Sequence, residues 1–195
     1  MLHHHYMLYK PDGMLSQFVT NAKRKKSRHR LLGELKEFPA QTMAVGRLDL
    51  DSEGLLLLTT DGQLSDYICR SGVEKEYIVQ LDGLITETAI LALSQGVQIS
   101  QPSGPHQTRP CQINRLNQPP LLPKRRKKVR DDRHGPSGWV SITITEGKFR
   151  QIRKMTAAVG FPTLRLVRVR VGHLKLGTMQ PCEVRAVQSL NMGFK

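Results

Sequence analysis

The stretch from Gly46 to Gly62, GRLDLDSEGLLLLTTDG, constrains the fold of this chain more than any other. It contains four consecutive leucines, Leu55 to Leu58, followed by two threonines and an Asp-Gly turn signal. A short apolar run bounded in this way is typical of a buried strand that ends in a tight turn. We therefore predict a buried strand with an acidic loop immediately before it.

The acidic loop carries three carboxylates within five residues, at Asp49, Asp51 and Glu53. A loop fixed to a buried strand can hold one carboxylate rigidly in a cleft, as a catalytic site requires. Ordinary loop residues, one of which caps a turn, would give the same spacing. Both interpretations stay open on spacing alone.

The charge of the chain favours a polyanionic partner. Its 195 residues include 30 Lys+Arg and 16 Asp+Glu, which gives a net charge of +14. Such a charge suits nucleic acid or an acidic membrane surface, but no apolar run approaches the roughly 20 residues of a membrane span. RNA or DNA is therefore the expected partner. The three cysteines have neither metal-site nor disulfide spacing, which favours a reducing compartment.

Hydrophobic periodicity predicts further elements. Strands are predicted at residues 6–9, 76–81 and 139–145, and helices at residues 31–38, 63–70 and 87–95. In the segment EGKFRQIRKM, Phe149, Ile152 and Met155 lie at helical spacing with Val159, and Gly160 is placed to end that helix.

Two segments lack such periodicity. Lys23 to Arg30 reads KRKKSRHR and is expected to bind phosphates in a salt-dependent way. Gln98 to Ser137 contains six prolines from Pro102 to Pro123 and a second basic run, KRRKKVR, at Lys124 to Arg130. A loop of this length is usually functional or disordered. We predict a basic, proline-rich insertion that becomes ordered when it binds RNA. The alternative is a surface loop that has no function.

Several motifs in order resemble those of the RNA pseudouridine synthases, specifically the RsuA-like branch. They are YKPDGMLSQF, GRLD followed by SEGLLLLT, KEYIV, EGKFRQIRKM and the closing segment FPTLRLVRVRVG. The resemblance covers nearly the whole chain except residues 98–137. It implies an α+β fold in which a mixed, largely antiparallel central sheet has flanking helices and a catalytic cleft. It also implies one catalytic domain over residues 1–195, without the S4 RNA-binding domain that many branch members carry.

The resemblance assigns catalytic roles to three residues. Asp49 matches the nucleophile, Tyr77 the tyrosine that lies against the target uracil, and Arg153 the arginine that pairs with the aspartate. A core tyrosine is the alternative for Tyr77. Arg47 matches a residue implicated in base flipping, with a structural ion pair as its alternative. Phe149 departs from the Asn or His found at its position in the family.

The implied reaction isomerises a specific uridine to pseudouridine in ribosomal RNA, with the large subunit favoured, and needs no cofactor or metal. The alternative is a non-catalytic ribosome-assembly factor that keeps the fold and binds ribosomal RNA. We expect a monomer in the cytoplasm, or in a mitochondrion or plastid if a transit segment was removed. The residues expected to bind RNA are Lys23, Arg24, Lys25, Lys26, Arg47, Lys75, Lys124, Arg125, Arg126, Arg150, Lys154, Arg168 and Arg170.

Overall fold

The computed structural model describes residues 2–19, 29–130 and 132–190. The strands in these ranges are β1 (His5–Lys10), β2 (Met43–Val45), β3 (Glu53–Thr59), β4 (Lys75–Asp82), β5 (Gln98–Gln101), β6 (Gly104–Gln107), β7 (Gln112–Leu116), β8 (Ser137–Ile144), β9 (Thr163–Val171), β10 (Leu174–Lys175) and β11 (Val184–Val187). The α-helices are α1 (Gly62–Arg70), α2 (Glu87–Gln95) and α3 (Gln151–Ala158). Short 3-10 helices span Leu32–Glu34 and Asp132–His134.

The chain divides into two compact units. Unit 1 comprises residues 1–73 and 168–195, and unit 2 comprises residues 74–167. Strand β9 contributes its first residues to unit 2 and its last residues to unit 1. The expectation of a single catalytic domain without an S4 domain stays a prediction.

Unit 1 is built around β3, all of whose residues are buried. On one side β3 pairs antiparallel with β1, from His5 opposite Thr59 to Lys10 opposite Gly54, and β1 pairs in turn with β11. On its other side β3 meets β2 and the end of β9. A strand covered on both faces reads as a continuous apolar run, which explains the four leucines.

Gly54 is the glycine that this arrangement requires. Its φ is +101°, and a Cβ there would lie 2.2 Å from the backbone oxygen of Arg168 and 2.8 Å from its nitrogen. A residue with a side chain therefore cannot occupy this position without moving β9 away from β3. The side chain of Arg168 reinforces the same contact, since its Nε donates to the Leu55 carbonyl at 2.8 Å.

Unit 2 contains a sheet in the order β9-β4-β8-β7, in which β8 pairs antiparallel with both β4 and β7. The register of β4 with β8 runs from Lys75 opposite Ile144 to Asp82 opposite Ser137. Helix α2 begins where the Thr86 hydroxyl accepts a hydrogen bond from the Ala89 N–H at 3.2 Å. It ends at Gly96, whose φ is +94°. Strands β5 and β6 form a separate two-stranded hairpin.

The α+β class is confirmed, because the described residues include strands of a mixed sheet together with flanking helices. Helices α1 and α2 and the buried strand β3 are also where the sequence predicts them. The Asp61 carboxylate caps α1 by accepting from the Leu64 N–H at 3.0 Å. Among the described residues, no helix is both long and apolar enough to cross a membrane.

Two predictions about secondary structure were wrong. The proline-rich stretch 98–137 is not devoid of regular structure, because β5, β6 and β7 lie within it. Pro105 fits β6 because a two-stranded hairpin leaves each strand with one unpaired edge, where a missing N–H costs nothing. The helix predicted over residues 31–38 shrinks to one 3-10 turn, Leu32–Glu34, with the poor helix former Gly33 at its centre.

Candidate active site

Asp49 lies in unit 1, on the loop that joins β2 to β3. Its carbonyl accepts a hydrogen bond from the Ser52 N–H at 3.1 Å, which closes a tight turn just before β3. The Asp49 residue is half-buried, whereas Arg47, two positions earlier, is exposed. The loop thus presents a cation to solvent next to a partly shielded carboxylate.

The backbone on both sides of Asp49 is held by the segment that follows β1. The Ser16 hydroxyl donates to the Leu48 carbonyl at 2.8 Å and accepts from the Leu48 N–H at 3.0 Å. The Leu50 carbonyl accepts from the Gly13 N–H at 2.8 Å. Ser16 and Leu48 are both buried, so water does not compete for these bonds. The position of Asp49 is therefore fixed from residues more than thirty positions away in the chain.

Lys10 adds a buried cation to this loop. Its side chain is fully buried, and Nζ donates to the Pro11 carbonyl at 2.8 Å and lies 3.5 Å from the Leu50 carbonyl oxygen. Burial lowers the pKa of this amine to about 8, against the opposing pull of the nearby carboxylates. Those carboxylates are Asp12, Glu53, Asp51 and Asp49. At neutral pH the amine thus supplies positive charge to an acidic loop.

The roles of Ser16 and Lys10 were not predicted from the sequence, although both residues lie in the segment YKPDGMLSQF. Their importance comes from contacts with residues 32 and 40 positions away. Periodicity does not report contacts of that range. The signal available in the sequence was the family-like segment itself, with a lysine at the end of a strand and a serine shortly after a turn.

Tyr77 lies in unit 2, in the middle of β4 and opposite Ile142 of β8. It is buried, with 8% of its surface exposed, and shares its face of the strand with the fully buried Val79 and Leu81. The predicted alternation of this strand is confirmed. Lys75, at the start of β4, is half-buried. A role for Tyr77 against a substrate base stays a prediction.

Arg153 also lies in unit 2, in the second half of the segment EGKFRQIRK. Helix α3 begins only at Gln151, because Arg150 adopts the left-handed conformation with φ 52° and ψ 35°. Such a conformation costs a residue with a side chain on the order of 1 kcal/mol, and residues strained in this way cluster at functional sites. Arg153 is half-buried on α3, beside the buried Ile152 and Met155.

The prediction that Phe149 lies on the apolar face of this helix was therefore wrong. The left-handed residue Arg150 redirects the chain just before the helix, so Phe149 precedes α3 instead of joining its apolar face. Its side chain is 61% exposed. Ile152 and Met155 do form the buried face as expected, since they are 3% and 0% exposed.

The Glu146 carboxylate organises the loop before α3. Its Oε1 accepts from the Arg109 N–H at 2.9 Å and from Gln151 Nε2 at 2.6 Å, and its Oε2 lies 3.0 Å from His106 Nε2. Gln151 Oε1 in turn accepts from the Lys148 N–H at 2.9 Å. Burial alone would raise the pKa of Glu146, but these hydrogen bonds outweigh it and lower the pKa. The hairpin β5–β6 is thereby tied to the start of α3.

The sequence alone did not predict the roles of Glu146, Gln151 and His106. The first two were visible as the Glu and Gln of the segment EGKFRQIRK. His106 carried no signal, because it lies in the stretch predicted to be irregular and makes its contact 40 residues away.

The residues expected to bind RNA differ in exposure. Arg47, Lys124 and Arg126 are exposed, whereas Lys75, Arg125, Arg150, Lys154 and Arg170 are half-buried. Arg168 is only 4% exposed and binds the β3 backbone, so its described contact is a structural one. Lys23, Arg24, Lys25 and Lys26 lie outside the described residues. Contact of any of these side chains with RNA stays a prediction.

With respect to the three catalytic candidates, Asp49 belongs to unit 1, and Tyr77 and Arg153 belong to unit 2. Their meeting in one catalytic centre stays a prediction. Among the described residues, no three His, Cys, Asp or Glu side chains are grouped as a metal site would need.

The sequence profile of the RNA pseudouridylate synthase family matches residues 4–158. The chain belongs to this family. It is 44% identical over 181 residues to ribosomal large subunit pseudouridine synthase E of Xanthomonas campestris pv. campestris, with 92% of each chain covered. It is 40% identical over 182 residues to the enzyme of the same name from Vibrio vulnificus, covering 91% of this chain and 72% of the relative. The predictions of family and of enzyme class, an RNA pseudouridine synthase, are confirmed.

Solved structures agree with this family. A crystal structure described as a pseudouridylate synthase superposes with a TM-score of 0.73 at 26% identity, covering 95% of this chain and 70% of that one. Human RNA Pseudouridylate Synthase Domain Containing 1 superposes with a TM-score of 0.54 at 15% identity, covering 96% and 80%. The second likeness is one of fold alone. Together they confirm the predicted pseudouridine synthase fold.

Proposed function

We propose that this pseudouridine synthase isomerises a specific uridine of large-subunit ribosomal RNA, with Asp49 as its nucleophile. The observation that carries the assignment of Asp49 is the pair of contacts on its two neighbours, Leu48 and Leu50, which hold this position of the loop. The choice of RNA is supported by the printed names of the relatives that cover this chain almost end to end. A net charge of +14 suits that substrate.

The proposed reaction breaks the C1′–N1 glycosidic bond of uridine, turns the uracil, and forms a C1′–C5 bond. The hydrogen at C5 leaves to solvent and N1 gains a proton, so the overall change is an isomerisation. Asp49 attacks ribose C1′ or uracil C6, or assists through a glycal. Each route requires an ionised carboxylate, which Arg153 maintains by pairing with it.

Two further residues complete the proposed mechanism. Tyr77 stacks against the uracil and assists removal of the C5 proton. Arg47 supports the vacated position when the target base leaves its stack, since a planar guanidinium stacks well on bases and also binds phosphate. Its exposure on the Asp49 loop supports this role. A ribosomal RNA substrate makes the cytoplasm the proposed site of action, with an organelle as the alternative, and we expect a monomer.

The test is tritium release from RNA that carries 5-tritiated uridine. Large-subunit and small-subunit ribosomal RNA are compared as substrates for the wild type, Asp49→Asn and Asp51→Asn. We expect the wild type and Asp51→Asn to release tritium from large-subunit RNA. We expect Asp49→Asn to release none while it still binds the RNA.

Asp51→Asn is the matched control, because it removes a carboxylate from the same loop two positions after Asp49. It distinguishes the loss of the nucleophile from the loss of one negative charge on the loop. Release by Asp49→Asn at the wild-type rate would refute the assigned role of Asp49. A wild type that binds ribosomal RNA tightly but releases no tritium from either subunit's RNA would refute the proposed substrate. The ribosome-assembly factor would then be the better interpretation.

A further inference from the structure

Phe149 is the aromatic residue whose placement the proposed mechanism does not explain. Of the four phenylalanines that the structure describes, it is the exposed one, with 61% of its surface accessible. Exposure of a whole phenyl ring to water is unfavourable by about 25 cal/mol per Å² of apolar area. An exposed ring in a functional segment therefore points to a partner that covers it.

The loop around Phe149 is fixed, so the ring does not fold back onto the protein. The Phe149 carbonyl accepts a hydrogen bond from Gln101 Nε2 at 3.2 Å. On one side, the Lys148 N–H donates to Gln151 Oε1 at 2.9 Å, and on the other, Arg150 is locked in the left-handed conformation that begins α3. The ring is thus presented to solvent by a backbone held at both ends.

The surroundings of the ring are cationic. Lys154 Nζ lies 5.0 Å from the ring centroid, within the range of a cation–π contact, and donates to the Ser100 carbonyl at 2.6 Å. Lys148 and Arg150 flank Phe149 in sequence. The neighbouring carboxylate, Glu146, has only 10% of its side chain exposed and is already hydrogen-bonded.

We propose that Phe149 is a stacking platform for one unpaired nucleobase of the RNA substrate, with Lys148, Arg150 and Lys154 binding the adjacent phosphates. An aromatic ring among cations matches the chemistry of a single strand, in which each base carries a π-face and each linkage a negative charge. Because the Lys154 ammonium lies over one face of the ring, the base stacks on the other. The inference rests on the proposed function for the identity of the RNA.

An apolar protein partner is the competing occupant, and the charges argue against it. Protein interface cores are depleted of charged residues, and lysine is disfavoured there. Here one cation lies over the ring and two more flank Phe149 in sequence, and a protein partner would have to desolvate them. A nucleic acid would instead neutralise them and release counterions.

The test compares Phe149→Ala, Phe149→Leu and Phe149→Tyr in RNA binding and in tritium release from the large-subunit RNA fragment on which the wild type acts. Leu91→Ala is the matched control, because Leu91 is also an exposed apolar side chain of unit 2, with 57% of its surface accessible. We expect the Ala and Leu variants to bind the fragment roughly 5- to 100-fold more weakly, since base–aromatic stacking is lost in both. The Tyr variant and Leu91→Ala should bind like the wild type.

Two further readouts separate stacking from charge and from folding. Affinity for inorganic polyphosphate, which has charge but no bases, should be unchanged in Phe149→Ala. The slope of log Kd against log salt should also stay at the wild-type value in that variant and fall by about one in Lys154→Gln. At saturating RNA, Phe149→Ala should recover its turnover, so that KM changes and kcat does not.

Wild-type affinity for the RNA fragment in Phe149→Ala would overturn the inference. Wild-type affinity in Phe149→Leu would also overturn it, because an apolar contact alone would then suffice. Equal losses for RNA and polyphosphate in Phe149→Ala would show a disturbed loop instead of a lost stacking contact, and would overturn it as well. Each of these comparisons requires a wild type that releases tritium, so a failure of the proposed function is recognised separately, by absent release in the wild type.

Discussion

Replacement of Ser16 by alanine tests whether the backbone around Asp49 is held from the N-terminal segment. The substitution removes both hydrogen bonds between the Ser16 hydroxyl and Leu48, at 2.8 and 3.0 Å. It leaves the N–H and the carbonyl of a residue that is 7% exposed without this partner. A buried backbone group that loses its partner costs about 1–3 kcal/mol, a large fraction of the roughly 5–15 kcal/mol by which domains are stable.

The Ser16→Ala protein should therefore stay folded but lose stability and turnover together. If the Asp49 carboxylate moves by about 1 Å, the rate falls on the order of 100-fold, because catalysis depends steeply on the position of the nucleophile. The assay pairs urea unfolding with single-turnover tritium release. We expect the loss in the chemical step, with RNA affinity unchanged.

The control is Thr86→Ala, which removes the hydroxyl that caps α2 at 3.2 Å from the Ala89 nitrogen. A lost helix cap costs about 1 kcal/mol, so this variant has a comparable loss of stability at a site far along the chain from Asp49. Turnover should be normal in Thr86→Ala and reduced in Ser16→Ala. Equal, near-normal turnover in the two variants would refute the idea that Ser16 positions Asp49.

Two further predictions concern unit 1. Gly54→Ala should fail to fold, or its free energy of unfolding in urea should fall by more than about 3 kcal/mol, because the new Cβ would lie 2.2 Å from the Arg168 backbone oxygen. The control is Gly13→Ala, since Gly13 also has a positive φ, +75°, but no atom lies within 4 Å of a Cβ there. Its free energy of unfolding should fall by only about 1 kcal/mol. Similar losses of stability in the two variants would contradict the close approach of Gly54 to the Arg168 backbone. Below pH about 8 the buried, protonated Lys10 destabilises the fold, and this cost is relieved as the pH rises toward the ordinary value of 10.5. Between pH 7.5 and 10 the wild type should therefore gain up to about 3 kcal/mol relative to Lys10→Met, and parallel pH profiles would contradict this.

The sequence predicted the elements whose signal is local. Strand β3 follows from a run of leucines with a turn signal after it, and α2 from apolar spacing that ends at Gly96. In both cases the residues that define the element lie within it, so periodicity and capping suffice. Strands β5 to β7 lack such a signal, since they are only four or five residues long and β6 contains a proline.

The residues of the candidate site differ in the same respect, since some carry a local sequence signal and others do not. Asp49, Tyr77 and Arg153 could be named as candidates because they lie in recognisable motifs, and their catalytic roles stay predictions. Ser16 and Glu146 could not be named in this way, because their function is to hold another segment and depends on the tertiary fold. Phe149 was misplaced for a related reason: helical spacing extends to it, but the left-handed Arg150 delays the start of the helix to Gln151, two residues after Phe149.

The proline-rich stretch 98–137 now divides into two parts with different roles. Its first part holds the start of α3, since His106 and the Arg109 N–H bind Glu146 and Gln101 binds the Phe149 carbonyl. RNA is not needed to order residues that already make these contacts within the chain. Our prediction of an insertion that becomes ordered on RNA therefore applies only to the second part.

The second part, residues 117–130, remains the better candidate for a contact with RNA. It is anchored at two points, because the Pro123 carbonyl accepts from Arg165 Nη2 at 2.8 Å and Arg130 binds Asp82. The cations between these anchors are largely exposed, with Lys124, Arg126, Lys127 and Lys128 all facing solvent. A loop tethered at both ends loses less conformational entropy when it binds than a free one would, so its cations can contribute more of their electrostatic attraction to affinity.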